Sequence, residues 1–142
     1  MHDVGKITIP ESILHKPGKL NAQEWEAMKQ HAEAGASMLS KSSLPIAKLG
    51  ETLAHYHHEN WDGSGYPDGL KGEKIPIEAR IMAIVDVIDA LGSKRSYKEP
   101  WSSEKILETI KLERGIKFQP LLVDLVEENF EEIMAIREQF PD

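Results

Sequence analysis

The 142-residue chain contains no cysteine, which excludes a disulfide framework, a thiolate metal site and a cysteine nucleophile, and agrees with a reducing cytoplasm. Any metal must therefore be held by nitrogen and oxygen. Cations are also scarce: 17 Lys and Arg stand against 24 Asp and Glu, a formal net charge of −7. A broad grip on DNA or RNA needs basic residues spread along a phosphate backbone, so a nucleic-acid polymer is not an expected partner. A small phosphate ligand stays open if a metal or a few local cations meet it. Long apolar runs are missing too. The longest, Ile81 to Val85, falls far below the roughly 18 residues of a membrane span, and the first residues lack the layout of a signal peptide. No membrane insertion by this chain is expected, and its expected location is the cytoplasm. Internal repeats are absent, and no run of four or more residues keeps a strand alternation. The expected class is all-α, in one domain over residues 1–142.

Helical spacing is plentiful. Asn21 is a good N-cap, with Glu24 three residues on as in a capping box, and Trp25, Met28, Ala32, Gly35 and Leu39 recur on one face. Ser40 to Pro45 breaks that helix, and a second is expected from about Ile46 to His58. A third, from about Ile77 to Leu91, is apolar nearly all round and is therefore expected to be central and buried. Ser102 or Ser103 caps a fourth that ends near Gly115. Pro120 opens a fifth, with Leu121, Leu122, Leu125, Val126, Ile133 and Ile136 as its core face. That makes about five main helices. Residues 7–20 read as loop with one short turn. The 20 residues from Glu59 to Glu78 carry Gly63, Gly65, Gly69, Gly72, Pro67 and Pro76 without any period, and loops this long inside a domain are usually functional or disordered.

The chemistry sits in histidines and acids where a helix core would not ask for them. Asp86 and Asp89 lie three apart in the most apolar helix, so at least one is expected to face inward, where a carboxylate needs a partner or a metal. Few cations lie nearby in sequence, which favours metal. His57 and His58 point about 100° apart at a helix end: they could grip neighbouring metals, or one could ligate while the other hydrogen-bonds. The plainer alternative is that His58 only complements the helix dipole. His31, beside Met28 and Gly35, is either a ligand or an ordinary core histidine. His2-Asp3 gains weight from Gly5-Lys6, a flexible turn followed by a phosphate-seeking ammonium. His15 and His55 read as bystanders, and Glu59 and Asp62 as carboxylates that tie the turn amides of the long loop.

The blocks His2-Asp3-Val4-Gly5-Lys6, Lys16-Pro17-Gly18-Lys19-Leu20, His31 within Lys-Gln-His-Ala-Glu-Ala-Gly, His57-His58-Glu59-Asn60-Trp61-Asp62-Gly63-Ser64-Gly65-Tyr66-Pro67 and Asp86-Val87-Ile88-Asp89-Ala90-Leu91 resemble the HD-GYP family. This is the branch of the HD metal-dependent phosphohydrolases that degrades the bacterial messenger cyclic di-GMP. The resemblance runs from residue 2 to about residue 123 and leaves 124–142 as a C-terminal helix. It implies His2, Asp3, His31, His57, His58 and Asp86 as ligands of two or three divalent ions, with Asp3 bridging. Iron or manganese suits such ligands, with nickel or zinc as alternatives. Lys6 would touch the scissile phosphate, and Tyr66, Arg95 and Lys98 would contact substrate. Asp89 then becomes a second carboxylate supporting or capping the site.

Two departures shape the expectation. Relatives carry helices ahead of the HD pair that add a histidine and often a glutamate, whereas here only Met1 precedes His2. The chain is thus expected to be N-terminally incomplete, with the ion nearest His2 weakened and a homodimer favoured by the uncovered apolar groove. An upstream sensory or receiver domain would belong to the full-length protein. Phe118-Gln119-Pro120 and Lys94-Arg95-Ser96-Tyr97 also differ from the family's usual residues, without removing a proposed ligand. The resemblance implies a phosphodiesterase that hydrolyses cyclic di-GMP to linear pGpG and on to GMP. Its rival is a non-catalytic or truncated module that binds nucleotide or a signalling partner. An HD phosphohydrolase for another nucleotide is weakened by Gly65-Tyr66-Pro67.

Overall fold

A computed structural model of the chain describes residues 2–93 and 99–140. Among them are seven α-helices and no strand. The helices are α1 (Glu11–Leu14), α2 (Ala22–Leu39), α3 (Pro45–Tyr56), α4 (Ile77–Gly92), α5 (Ser103–Leu112), α6 (Pro120–Glu128) and α7 (Phe130–Gln139), with 3-10 turns at Val4–Thr8 and Gly72–Lys74. The all-α expectation holds. Two isolated bridges, Asp62 to Lys71 and Arg114 to Phe118, are the extent of extended pairing among the described residues.

The start of α2 follows from local chemistry. Asn21 Oδ1 accepts from Glu24 N at 2.8 Å, and Glu24 Oε2 accepts from Asn21 N at 2.9 Å, a complete capping box. Lys16 Nζ donates to the same carboxylate at 2.7 Å, tying the preceding loop down. Helices α2 and α3 lie close because small residues face each other: Ala32, Gly35 and Ala36 against Ala47, Gly50 and Ala54, all buried. A Cβ on Gly35 would stand 3.1 Å from Ala54 Cβ. The larger apolar cluster lies at the other end, where Ala83, Ile84 and Ile88 of α4 meet Ile106 and Ile110 of α5, Phe118, Val123 and Phe130. Each such fully buried Ile, Val or Phe side chain contributes roughly 1.5–3 kcal/mol.

Three expectations are corrected. The fifth helix is two: Asn129 ends α6, its Nδ2 donating to Leu125 O at 2.8 Å, and α7 restarts from it. A side chain that competes for the carbonyl four residues back favours such a break. Leu121, Leu125 and Ile136, expected in the core, are exposed. Helix α4 is not buried all round: Ile77, Ile81 and Val85 are exposed, Val85 at 50%, and Ile81 and Val85 border an apolar groove with Leu122, Leu125 and Ile133. Residues 7–20, expected as loop with one short turn, hold that turn as α1, preceded by the 3-10 turn at Val4–Thr8.

The long loop is ordered by one carboxylate. Glu59, 3% exposed, accepts from the amides of Asp68, Gly69 and Leu70 at 2.7, 3.1 and 3.0 Å. Asp62 accepts from Ser64 N at 2.9 Å, so both acids do what their setting suggested. Trp61 N and Asp62 N donate to Lys117 O and Ile116 O, stitching the loop to the α5–α6 connection.

Candidate metal centre

Four segments distant in sequence bring their donors together: the first turn, the middle of α2, the end of α3 and α4. Gly5 makes the first approach possible. A Cβ there would overlap His31 O and Gly35 N of α2, so only glycine lets this turn lie on the helix backbone. The expectation of a flexible turn at Gly5 is corrected: it is a buried contact. The result is that Asp3 reaches the histidines. Its Oδ1 lies 3.5 Å from His57 Nε2 and 3.8 Å from His31 Nε2, while its Oδ2 lies 3.3 Å from His2 Nε2 and 3.5 Å from Lys6 Nζ. The two carboxylate oxygens thus face two different sets of partners.

One ligand atom from each of Asp3, His31, His57 and His58 lies within 4.8 Å of the others, a group that could hold a metal ion. The tautomers support this. His31 Nδ1 donates to Met28 O at 2.7 Å, and His57 Nδ1 donates to Leu53 O at 2.9 Å and Ala54 O at 3.1 Å. In the neutral rings Nε2 then carries the lone pair, and the two Nε2 atoms are 3.4 Å apart. Two lone pairs at that separation repel unless a proton or cation lies between them. His58 Nε2 is 3.1 Å from His31 Nε2 and completes the cluster. An outer carbonyl that holds the other ring nitrogen is the usual arrangement of a metal-binding histidine.

On the second side, His2 Nε2 is buried and makes no aligned hydrogen bond, though it lies 3.3 Å from Asp3 Oδ2 and 3.4 Å from Asp86 Oδ1. These two carboxylates push the His2 imidazole up to about 9. His2 in turn holds the Asp3 and Asp86 carboxyls below their ordinary range. Neither Asp86 nor Asp89 is buried, with side chains 46% and 62% exposed, so pairing rather than burial singles out Asp86. Asp89 points away, 3.7 Å from Arg137 Nε, and does not support the cluster.

Burial holds His31 below its ordinary value, and burial with the neighbouring His57 and His31 takes His58 down to about 3. An unfolded chain binds protons at these histidines from about pH 6.5 downward. In the folded chain burial disfavours that protonation, so the metal-free protein is expected to lose stability between pH 7 and pH 5, by at most about 2 kcal/mol per histidine. The raised His2 opposes this in part, its contribution growing by less than about 1 kcal/mol as pH falls across the interval. Thermal melts at the two pH values check it, and an unchanged midpoint would contradict two neutral imidazoles.

Tyr66 stacks on His58, ring centroids 4.8 Å apart and planes at 20°, with burial and then the Asp3 charge pushing its phenol up to about 12. Gly65 allows this, because a Cβ there would overlap His58 O and Asn60 N. Trp25, read from sequence as core, is 46% exposed and meets Tyr66 edge-on at 5.9 Å. Its signal was a tryptophan set among Gln23, Glu24 and Glu26. His15 is exposed, and His55 pairs with Asp68 at 3.0 Å, both away from the cluster. Arg95 and Lys98 lie outside the described residues.

The chain is 53% identical over 142 residues to the 3'3'-cGAMP-specific phosphodiesterase 2 of Vibrio cholerae, covering 100% of this chain and 27% of that protein. It is 51% identical over 124 residues to the cyclic di-GMP phosphodiesterase response regulator RpfG of Xanthomonas campestris, covering 87% of this chain and 33% of that protein. A cyclic di-GMP phosphodiesterase of Thermotoga maritima is 48% identical over 124 residues, 87% of this chain and 34% of its own length. The chain therefore spans about a quarter to a third of the length of these relatives. A crystal structure of a cyclic GMP-AMP-specific phosphodiesterase of Vibrio cholerae shares the fold, with TM-score 0.62 at 22% identity over 89% of this chain and 33% of that one. No helix among the described residues is long and apolar enough to cross a membrane. With a family model for the HD domain matching residues 1–122, the chain belongs to the HD domain family.

Proposed function

We propose that this chain is a metal-dependent phosphodiesterase that hydrolyses cyclic di-GMP to the linear dinucleotide pGpG, with GMP as the further product. The carrying observation is the pair of bare Nε2 atoms on His31 and His57 facing one oxygen of Asp3, while its other oxygen faces His2 and Lys6. One subsite draws on Asp3, His31, His57 and His58. The second would draw on Asp3, His2 and Asp86, with Asp3 a donor common to both. Imidazole and carboxylate without thiolate suit iron or manganese. Divalent ions bound there would neutralise phosphate charge and lower the pKa of a water.

The residues then divide the work. Asp3 fixes the spacing of the two subsites. Lys6, its ammonium beside Asp3 Oδ2, offers a cation to a nonbridging phosphate oxygen. The neutral Tyr66 phenol walls the site and can donate a hydrogen bond without adding charge. Arg95 and Lys98 are further cations for the substrate, assigned through the family resemblance. A cytoplasmic setting, self-association and a regulatory domain in the same polypeptide belong to the same reading.

The deciding assay incubates the chain with manganese or iron(II) and then with cyclic di-GMP or 3'3'-cGAMP, following linear product by chromatography. Linear product that chelator removes and metal restores is expected. Tight binding of cyclic di-GMP with no product would overturn the enzyme reading in favour of a non-catalytic module.

A further inference from the structure

Glu26, Lys29, Gln30 and Glu33 recur at i, i+3, i+4 and i+7, so they share one face of α2 beside the face that carries His31. With Tyr66 and Pro67 they line a cavity of about 170 Å³. That is well below the volume of an ordinary drug-sized pocket, and it suits one ring system rather than a whole dinucleotide. The cavity is one ring removed from the histidine cluster, since its Tyr66 wall stacks on His58. Lys29 Nζ lies over the Tyr66 ring, 5.7 Å from its centroid, and is held by Glu26 at 2.7 Å. Its side chain is 26% exposed against 70% for Glu26, so the lysine is already ordered against the wall.

We propose that this cavity is the subsite for a guanine base of the substrate, and that Lys29 and Glu33 distinguish guanine from adenine there. The inference rests on the cyclic dinucleotide reading above. The lining offers an ammonium that only donates and a carboxylate that only accepts, four residues apart on one helical face, with the Gln30 amide between them. Guanine matches that pair: O6 and N7 accept on one edge, and the N1 and N2 hydrogens donate on the next. Adenine places an amino donor where guanine has O6. An ammonium has three donors, so Lys29 can meet a base oxygen while keeping Glu26. Prior ordering of Lys29 on Tyr66 lowers the entropic cost of that contact. The competing account is an ordinary surface ion pair between Glu26 and Lys29, which would leave substrate affinity untouched.

Steady-state kinetics on this chain, Lys29→Met and Lys29→Arg separate the two. For Lys29→Met, KM for cyclic di-GMP is expected to rise about tenfold, within the worth of one base-reading contact, with kcat little changed. The inhibition constant of cyclic di-AMP should not move, and Lys29→Arg should restore most of the loss. An unchanged KM, or equal weakening of both ligands, overturns the subsite. Hydrolysis of bis(4-nitrophenyl) phosphate by the unsubstituted chain, a substrate with no base, reports separately on the phosphodiesterase reading. Should it hydrolyse neither substrate, that reading falls. Calorimetric titration with cyclic di-GMP then decides the subsite: about tenfold weaker binding by Lys29→Met supports it, and an unchanged Kd overturns it.

Discussion

Replacing Asp3 by alanine is expected to abolish hydrolysis of cyclic di-GMP, with a fall in kcat of about 10³-fold or more, beyond the 10–100-fold typical of losing an outer-shell partner of a metal ligand. Among the described residues, Asp3 is the carboxylate that pairs with both His31 and His57. Its two oxygens face His31 and His57 on one side and His2 and Lys6 on the other, so one truncation removes a donor from both proposed subsites. Asp3→Asn is the sharper variant, since it keeps the size and removes the charge. Metal content of the purified variants should fall together with activity, while their circular dichroism stays that of the unsubstituted chain. Asp3→Asn with full metal content would overturn the bridging role.

Gly5→Ala is expected to be strongly destabilising for a single added methyl. Most overpacking costs about 1–3 kcal/mol because side chains can rotate away. Here the methyl would overlap backbone atoms of α2, His31 O and Gly35 N, and backbone has no rotamer to change. A loss of at least about 3 kcal/mol, or about 10 °C in melting midpoint, is the expected result. Metal affinity should fall with it, because the turn that lifts off α2 carries Asp3. Gly18→Ala is the matched control: nothing lies within 4 Å of its added Cβ and its φ is not positive, so it should be neutral or slightly stabilising. Equal midpoints for the two variants would refute the contact.

What could be read from the residues alone follows the range of the interaction concerned. The start of α2 was legible because a capping box is complete within four residues. The role of Glu59 was legible because it lies inside the loop whose amides it binds. The break at Asn129 was not, since Leu122 to Ile136 keeps helical spacing on both sides and only the Asn129 side chain decides between one helix and two. The exposed stripe of α4 was not either: Ile81 and Val85 are as apolar as Ile84 and Ile88, and which face is covered depends on neighbours that sequence spacing does not specify. The donors were found by residue type and motif. Their arrangement around the two oxygens of Asp3 depends on a close approach between Gly5 and α2, segments some 30 residues apart, which the resemblance implied but no local pattern could show.

The Nδ1 hydrogen bonds of His57 reach further than orienting a ring. Leu53 and Ala54 lie in the last turn of α3; Leu53 O already accepts from the His57 backbone N–H at 3.1 Å, and the His57 imidazole adds a second bond there and one to Ala54 O. The same imidazole therefore finishes a helix with one nitrogen and offers a lone pair to the metal centre with the other. Local opening of that turn would swing the donor out of place, and an ion that binds the donor in place opposes the opening by its own binding free energy. With an ion bound there, metal occupancy and the integrity of the end of α3 would be one equilibrium, and fraying at a helix terminus would be a route by which the ion is lost.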